Sequence, residues 1–340
     1  MDKRKYFVTG ATGFIGTKLV NALVDQGYEV NALTRVTSNR EGLNREQITF
    51  VQGDILKPET LLAGMKGCTH VFHLAAYAKN WAKDKRIFYE QNVIGMRNVF
   101  EAARKSNIER IVWTSTIVTF GPTAPGVIGD ETMPRITQKY FTEYEETKSI
   151  AEQEALKWAE DGLPLVIVNP TRVYGPGKLT EGNSVSLMID QYDRGLMPIL
   201  LNNGVNVGNY AFVNDLVKGH ILAMEKGRIG ERYILGGENV TLKHFFELVD
   251  EVSGKKHFQF NLPPKIALAY GAIQKFAAEK FGIYPQITTG WVETFLQDWA
   301  YSCKKAEREL GYEYLPLKEG IRQTYLWLQE ERRKKASKRQ

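Results

Sequence analysis

The sequence predicts an α/β fold: a doubly wound parallel sheet of the Rossmann type with a smaller C-terminal substrate domain. Three observations predict it. Short apolar runs alternate with helix-patterned segments through the first half of the chain, the rhythm that successive βαβ units impose. A glycine-rich turn, Gly10-Ala11-Thr12-Gly13-Phe14-Ile15-Gly16, follows the apolar run Tyr6-Phe7-Val8 and opens an amphipathic segment (Ile15, Leu19, Val20, Leu23, Val24). After Pro170 the alternation gives way to a Gly- and Asn-rich stretch (Gly175-Pro176-Gly177, Asn202-Asn203-Gly204), and the last third is mostly helical in pattern with aromatic clusters.

Strands are expected near 5–9, 28–34, 48–52, 69–74, 110–115, 164–169 and 231–235. Two helices matter most. Val93, Met96, Val99, Phe100 and Ala103 form an apolar stripe at helical spacing, and Tyr144, Lys148, Ala151 and Ala155 fall in line along another. Residues 1–169 plus 209–235 are expected to form the dinucleotide-binding domain, and 170–208 plus 236–330 a substrate-binding domain folded over the open edge of the sheet. No repeat or low-complexity linker separates them, so one extensive interface is expected. Residues 331–340 read as a basic tail.

Composition excludes several classes. A chain of 340 residues, 43% hydrophobic and 25% charged, is neither disordered nor fibrous. The formal charge of +6 is held by the six Lys/Arg of residues 332–340, and the remainder is neutral. The basicity therefore describes a tail and not a nucleic-acid surface. Such an end is usually solvated, with contact to an anionic membrane or partner as the alternative. Cys68 and Cys303 are too few for a disulfide framework, and no signal-peptide apolar region precedes the first strand. A cytoplasmic location is expected. No membrane span is expected either: the nearest stretch, Ile266 to Phe281, is broken by Gln274, Lys275, Glu279 and Lys280 and reads as an amphipathic packing helix. The five histidines form no metal set, since His70 and His73 face opposite sides of one strand.

The glycine turn has the context of a dinucleotide fingerprint, where glycines let backbone N–H groups approach a pyrophosphate at a helix N-terminus. A plain tight turn is the bland alternative. Tyr144 and Lys148, i and i+4 on one helix face, supply acid–base chemistry: an adjacent ammonium is expected to stabilise phenolate and bring the phenol toward the working range. Ile111-Val112-Trp113-Thr114-Ser115-Thr116 reads as a buried strand ending in hydroxyls, at the strand end where open α/β sheets bind ligands.

Fingerprint, hydroxyl strand and Tyr-x-x-x-Lys, in this order, make the chain resemble the extended short-chain dehydrogenase/reductase family over essentially its whole length. The resemblance implies further roles. Gly53-Asp54-Ile55 matches an adenine-contacting turn, His73-Leu74-Ala75-Ala76 the cofactor segment of the fourth strand, Asn92-Val93-x-Gly95-x-x-Asn98 the central helix, and Asn169-Pro170-Thr171-x-x-Tyr174-Gly175-Pro176 the loop by the nicotinamide. Implied cofactor contacts are Gly10, Thr12, Gly13, Phe14, Ile15, Gly16, Arg35, Asp54, Ile55, Leu74, Ala75, Ala76, Asn92, Tyr144, Lys148, Pro170 and Val173. Implied catalytic residues are Tyr144, Lys148 and Thr116, with Ser115 a near miss. Asn92 is equally readable as a helix-bend residue.

The end of the second strand, Val30-Asn31-Ala32-Leu33-Thr34-Arg35, lacks the acid that binds a ribose 2′-hydroxyl, and Arg35 could pair with a 2′-phosphate. NADP(H) is thus expected over NAD(H), in line with dihydroflavonol 4-reductase-like members. The expected reaction is NADPH-dependent reduction of a small-molecule ketone or aldehyde in a partly apolar pocket involving Tyr77, Trp81, Thr116, Arg172, Phe141 and Tyr174. Two alternatives stand: a nucleotide-sugar epimerase or dehydratase, against which Arg172 and Gly208 replace an Asn and an Arg that serve the sugar diphosphate, and a non-catalytic NAD(P)-binding sensor. The resemblance also implies a homodimer formed through the helices at 92–106 and 144–160.

Overall fold

The computed structural model describes residues 4–337. Seven parallel strands form the main sheet: β1 (Lys5–Thr9), β2 (Glu29–Thr34), β3 (Ile48–Gln52), β4 (His70–His73), β5 (Arg110–Thr114), β6 (Leu165–Pro170) and β10 (Arg232–Leu235). Their spatial order is β10-β6-β5-β4-β1-β2-β3, so the order reverses between β1 and β4. A parallel sheet covered on both faces needs strands apolar on both sides, and β6 is buried at every position.

Helices α1 (Phe14–Asp25), α7 (Val213–Lys226) and α11 (Lys304–Leu310) cover one face, with Leu19, Leu23, Leu216 and Ala306 in one core. The other face carries α2 (Pro58–Met65), α4 (Gly95–Lys105) and α5 (Glu143–Glu160), whose Leu61, Met96, Phe100, Ala151 and Ala155 form a second core. The anticipated stripe on α4 is buried there, as are Ala151 and Ala155 of the stripe on α5. Short α3 (Arg86–Tyr89) runs into a π-helical turn at Glu90–Ile94, so α4 begins later than the 92–106 pattern.

β7 (Arg172–Tyr174), β9 (Val207–Phe212) and β11 (Glu238–Thr241) make a separate sheet, and β8 (Ile199–Leu201) pairs with β12 (Phe260–Leu262). Residues 209–212, expected with the main sheet, thus belong to this second one, because β9 pairs with β7 and β11. Around it pack α6 (Ser184–Asp193), α8 (Leu242–Ser253) and α12 (Leu317–Ser337) through Tyr174, Ile189, Tyr192, Phe245 and Ile321. α9 (Pro264–Phe281) and α10 (Thr289–Phe295) lie against each other at the margin.

The basic end of the chain is helical as far as it is described. Residues 331–337 continue α12, and Arg332 forks onto Asp190 (Nε to Oδ1, 2.9 Å) and Asp193. Two acids at the end of α6 give Arg332 a partner, whereas residues 333–337 are exposed; Lys338, Arg339 and Gln340 lie outside the described residues. Among those residues, no helix is long and apolar enough to cross a membrane, and no cluster of His, Cys, Asp and Glu could hold a metal ion.

Candidate active site

At the point where strand order reverses, a cleft of about 250 Å³ brings together Gly10, Thr12, Gly13, Arg35, Asp54, Ile55, Leu74, Ala75 and Ala76 with Leu33, Ser38, Gly53, Tyr77 and Gln91. Its tight walls explain the glycines. Gly10 holds φ +71°, and a Cβ there would come within 2.7 Å of the Ala75 amide nitrogen. Gly13 caps α1 without any side chain, which leaves the helix N-terminus open to an anion. Thr9 ties the two strand ends together, its hydroxyl meeting His73 Nδ1 at 2.6 Å and accepting the Ala75 amide at 3.2 Å. These features fit a dinucleotide, since the open N-terminus of α1 behind Gly10–Gly13 offers backbone N–H groups to an anion.

Phe14, Gly16, Asn92 and Lys148, also implied as cofactor residues, border neither this cleft nor the cavity beside it. Phe14 is buried on α1 against Gly177, and Gly16 serves the turn itself, since a Cβ on it would collide with the Gly10 carbonyl. Asn92, within the π-helical turn, is buried and bridges two elements: its Oδ1 accepts the Tyr77 amide at 2.8 Å and its Nδ2 donates to the Thr147 hydroxyl at 3.0 Å. It positions the 77 loop, and neighbouring Gln91 faces the cleft instead.

Leu74 and Ala76 also border a second cavity of about 320 Å³, which holds Ile15, Ser115, Thr116, Tyr144, Pro170, Arg172 and Val173. Thr142 caps α5 by accepting the Glu145 amide at 3.1 Å, and the buried Glu145 carboxylate accepts the Phe141 amide at 2.8 Å and pairs with Arg135. This Thr-x-x-Glu cap fixes where α5 starts and hence which way Tyr144 points. Tyr144 and Thr116 hydrogen-bond each other through their hydroxyls. Ser115, beside them, keeps its hydroxyl buried without a partner.

The electrostatics differ from expectation. Burial pushes the Tyr144 phenol up to about 12, opposed by the Thr116 hydrogen bond, and Lys148 is not among the causes. The ammonium has another partner: Lys148 Nζ donates to the Thr114 carbonyl at 3.0 Å and sits 4.1 Å from the centre of the Trp113 ring. Burial pulls this lysine down to about 7, and the carboxylate of Glu152 acts in the opposite direction. Glu152 was not foreseen. Its Oε2 accepts from Asn169 at 2.6 Å and Thr119 at 3.0 Å, and its Oε1 from Arg232 at 3.1 Å. Asn169 also donates to the Thr116 carbonyl at 3.1 Å, so the carboxylate fixes the chain just beyond β5. A signal existed in the sequence, since Tyr144, Lys148 and Glu152 follow at intervals of four on one helix.

The pocket aromatics also need correction. Trp81 is buried edge-on to Tyr284 in a neighbouring depression that includes Phe141; Tyr77 borders the cofactor cleft, packed on Phe88; Tyr174 lies in the core against Phe212. The aromatic wall comes from the far C-terminal region: Trp291 stacks on Phe295 at 4.1 Å, with Trp299 beside them. Arg172 lies 4.3 Å over the Phe295 ring, and its guanidinium fills the space above Gly208, where a Cβ would fall 2.5 Å from Nη1. Lys178 reaches back across the cofactor cleft, donating to the Thr12 and Asn39 carbonyls at 3.2 Å each, a contact that sequence spacing gave no means of finding.

A reversal-point cleft with a glycine turn, beside a cavity bordered by a tyrosine and a threonine, defines an NAD(P)-dependent oxidoreductase. Residues 6–236 match the model of the NAD dependent epimerase/dehydratase family, and the chain belongs to that family, within the extended short-chain dehydrogenases/reductases. It is 34% identical to a putative dihydroflavonol 4-reductase of Synechocystis sp., over 95% of this chain and 94% of the relative. A 4-hydroxy-2-methyl-3-oxo-4-farnesyl-3,4-dihydroquinoline-1-oxide ketoreductase of Stigmatella aurantiaca is 32% identical over 90% of this chain and 91% of its own length. The crystal structure of gox2253 superposes with TM-score 0.82 at 32% identity, covering 96% of this chain and 98% of the other.

Proposed function

We propose that this protein is an NADPH-dependent reductase of an apolar ketone or aldehyde. The observation that carries the reading is the cavity itself: a protonated phenol hydrogen-bonded to Thr116 faces an aromatic wall of Trp291 and Phe295. Bound in the cleft, the nicotinamide supplies hydride. The chain's own residues supply the rest. Tyr144 is in the state that donates a proton to the substrate oxygen, Thr116 shares that oxygen, and Lys148 lies one helical turn beneath to meet the ribose. Arg35 and Ser38 at the adenosine end, where Asp54 is the acid bordering the cleft among the described residues, support a 2′-phosphate. The names of the relatives above, a dihydroflavonol reductase and a farnesyl-bearing ketoreductase, support an apolar carbonyl substrate.

Incubation with NADPH plus dihydroflavonols and simple aryl ketones, and in parallel with UDP- and dTDP-hexoses, tests the assignment. Net NADPH consumption with the carbonyls is expected. Conversion of a nucleotide sugar without net cofactor use would replace this reading with the epimerase or dehydratase one, for which Arg172 above Gly208 would then be the diphosphate contact; cofactor binding with no turnover on either set would leave a sensor. A homodimer through α4 and α5 belongs to the same reading. The two helices lie side by side, joined by Arg97 Nε and Glu154 at 2.7 Å, and light scattering is expected to give twice the chain mass.

A further inference from the structure

An apolar-residue pattern on α9 runs opposite to that of an ordinary surface helix, which turns its large apolar side chains inward. Inward-facing positions are the small Ala267, Gly271 and Ala278, and Gly271 packs against the backbone of Thr288 and Thr289. Outward-facing positions are Ile266, Tyr270, Ile273, Phe276 and Phe281, spaced along one side of the helix, with Ile273 66% and Phe281 72% exposed. The neighbouring Phe258 and Phe260, edge-to-face at 4.6 Å, are exposed as well, and β12 places Phe260 beside exposed Ile199. A contiguous apolar face of this kind marks an interaction site.

Its surroundings indicate the occupant. Residues 254–284 contain five lysines and a single acid, Glu279. Lys256, Lys265 and Lys280 are exposed and form no ion pair among the described residues. Lys255 and Arg332 share Asp193, which brings exposed Arg333 and Lys335 to the same corner. Apolar side chains within a cationic rim complement an anionic bilayer surface, where insertion and attraction to lipid headgroups act together. The face also has an opening. Ile199 and Tyr270, both exposed, border a pocket of about 120 Å³ that is almost purely apolar and reaches Trp291 and Phe295, the wall of the active-site cavity.

We propose that α9 and the exposed pair Phe258 and Phe260 dock this protein on an anionic lipid surface, with the apolar pocket opening toward the bilayer. The docking does not depend on the identity of the reaction. Co-sedimentation of the full chain with vesicles of phosphatidylcholine plus phosphatidylglycerol is the test, with pure phosphatidylcholine in parallel. The expected result is binding to the anionic vesicles that falls with added salt and weakens at least ~10-fold in Ile273→Glu/Phe276→Glu. Lys265→Glu/Lys280→Glu should weaken it on anionic vesicles alone. Both pairs are exposed, so unchanged thermal unfolding and cofactor binding serve as the control for an intact fold. Failure of the native chain to sediment, or undiminished sedimentation of Ile273→Glu/Phe276→Glu, overturns the proposal. So does a drop in oligomer size in that variant by sedimentation velocity with vesicle binding unchanged, which would assign the face to a second copy of the chain.

Discussion

Replacing Lys148 by Met should stabilise the cofactor-free protein while removing its activity. The lysine is 1% exposed, its ammonium satisfied by one carbonyl and one ring, and burial lowers it from 10.5 to about 7. The sign follows from proton counting. Between pH 7 and 10.5 the unfolded chain holds this proton more often than the folded one, so stability rises with pH across that window; below about 7 both states are charged and the full cost of burial is present. With those two pKa values, the cost is about 4 kcal/mol at pH 7 and about 2 kcal/mol at pH 9. Native protein should therefore gain about 2 kcal/mol between pH 7 and pH 9 relative to Lys148→Met, which lacks the group. Urea unfolding of both proteins at the two pH values measures it, the comparison cancelling every other titration. Parallel pH dependences, within about 0.5 kcal/mol, would refute the argument that a charge is buried here at a cost. Such a cost is what a site kept for function entails.

Three further outcomes follow from the same geometry. Tyr144→Phe should keep cofactor affinity by fluorescence titration and lose at least ~100-fold in turnover, because the Thr116 hydroxyl cannot donate in its place as strongly; normal turnover would dismiss the tyrosine as proton donor. Arg35→Ala should weaken NADPH binding by ~1.5–3 kcal/mol and leave NADH nearly unchanged, and equal losses would remove the 2′-phosphate assignment. Arg332→Ala should lower stability by ~1–3 kcal/mol in denaturant titrations, since it removes one of the two cations paired with the fully buried Asp193 side chain and leaves Lys255 as the other; an unchanged midpoint would show that this pairing adds nothing to the fold.

Much of this molecule was legible in one dimension, for physical reasons that can be named. The seven strands of the main sheet and the two helical stripes could be read because burial on one or both sides writes a period into the sequence, and β1, β3 and the core of α4 lie where that period put them. Glycine at positions 10 and 16 could be read because backbone approaches backbone too closely there for a Cβ. The Tyr144–Lys148 pair could be read because i and i+4 share a helix face. What the sequence left undecided depends on contacts between segments far apart in the chain. Lys148 was expected to act on the phenol directly, but the Thr114 carbonyl and the Trp113 ring hold its ammonium, and only the packing of α5 on β5 decides that. Trp81 and Tyr174 carried the same apolar signature as Trp291 and Phe295, yet the fold buries the first two in packing and brings the second two, more than a hundred residues beyond Tyr144, to the cavity. The outward face of α9 is the sharpest case: alternation of apolar and polar residues fixes that a helix has two faces, whereas which of them meets the protein depends on the surface it lands on, and here the small residues fit it.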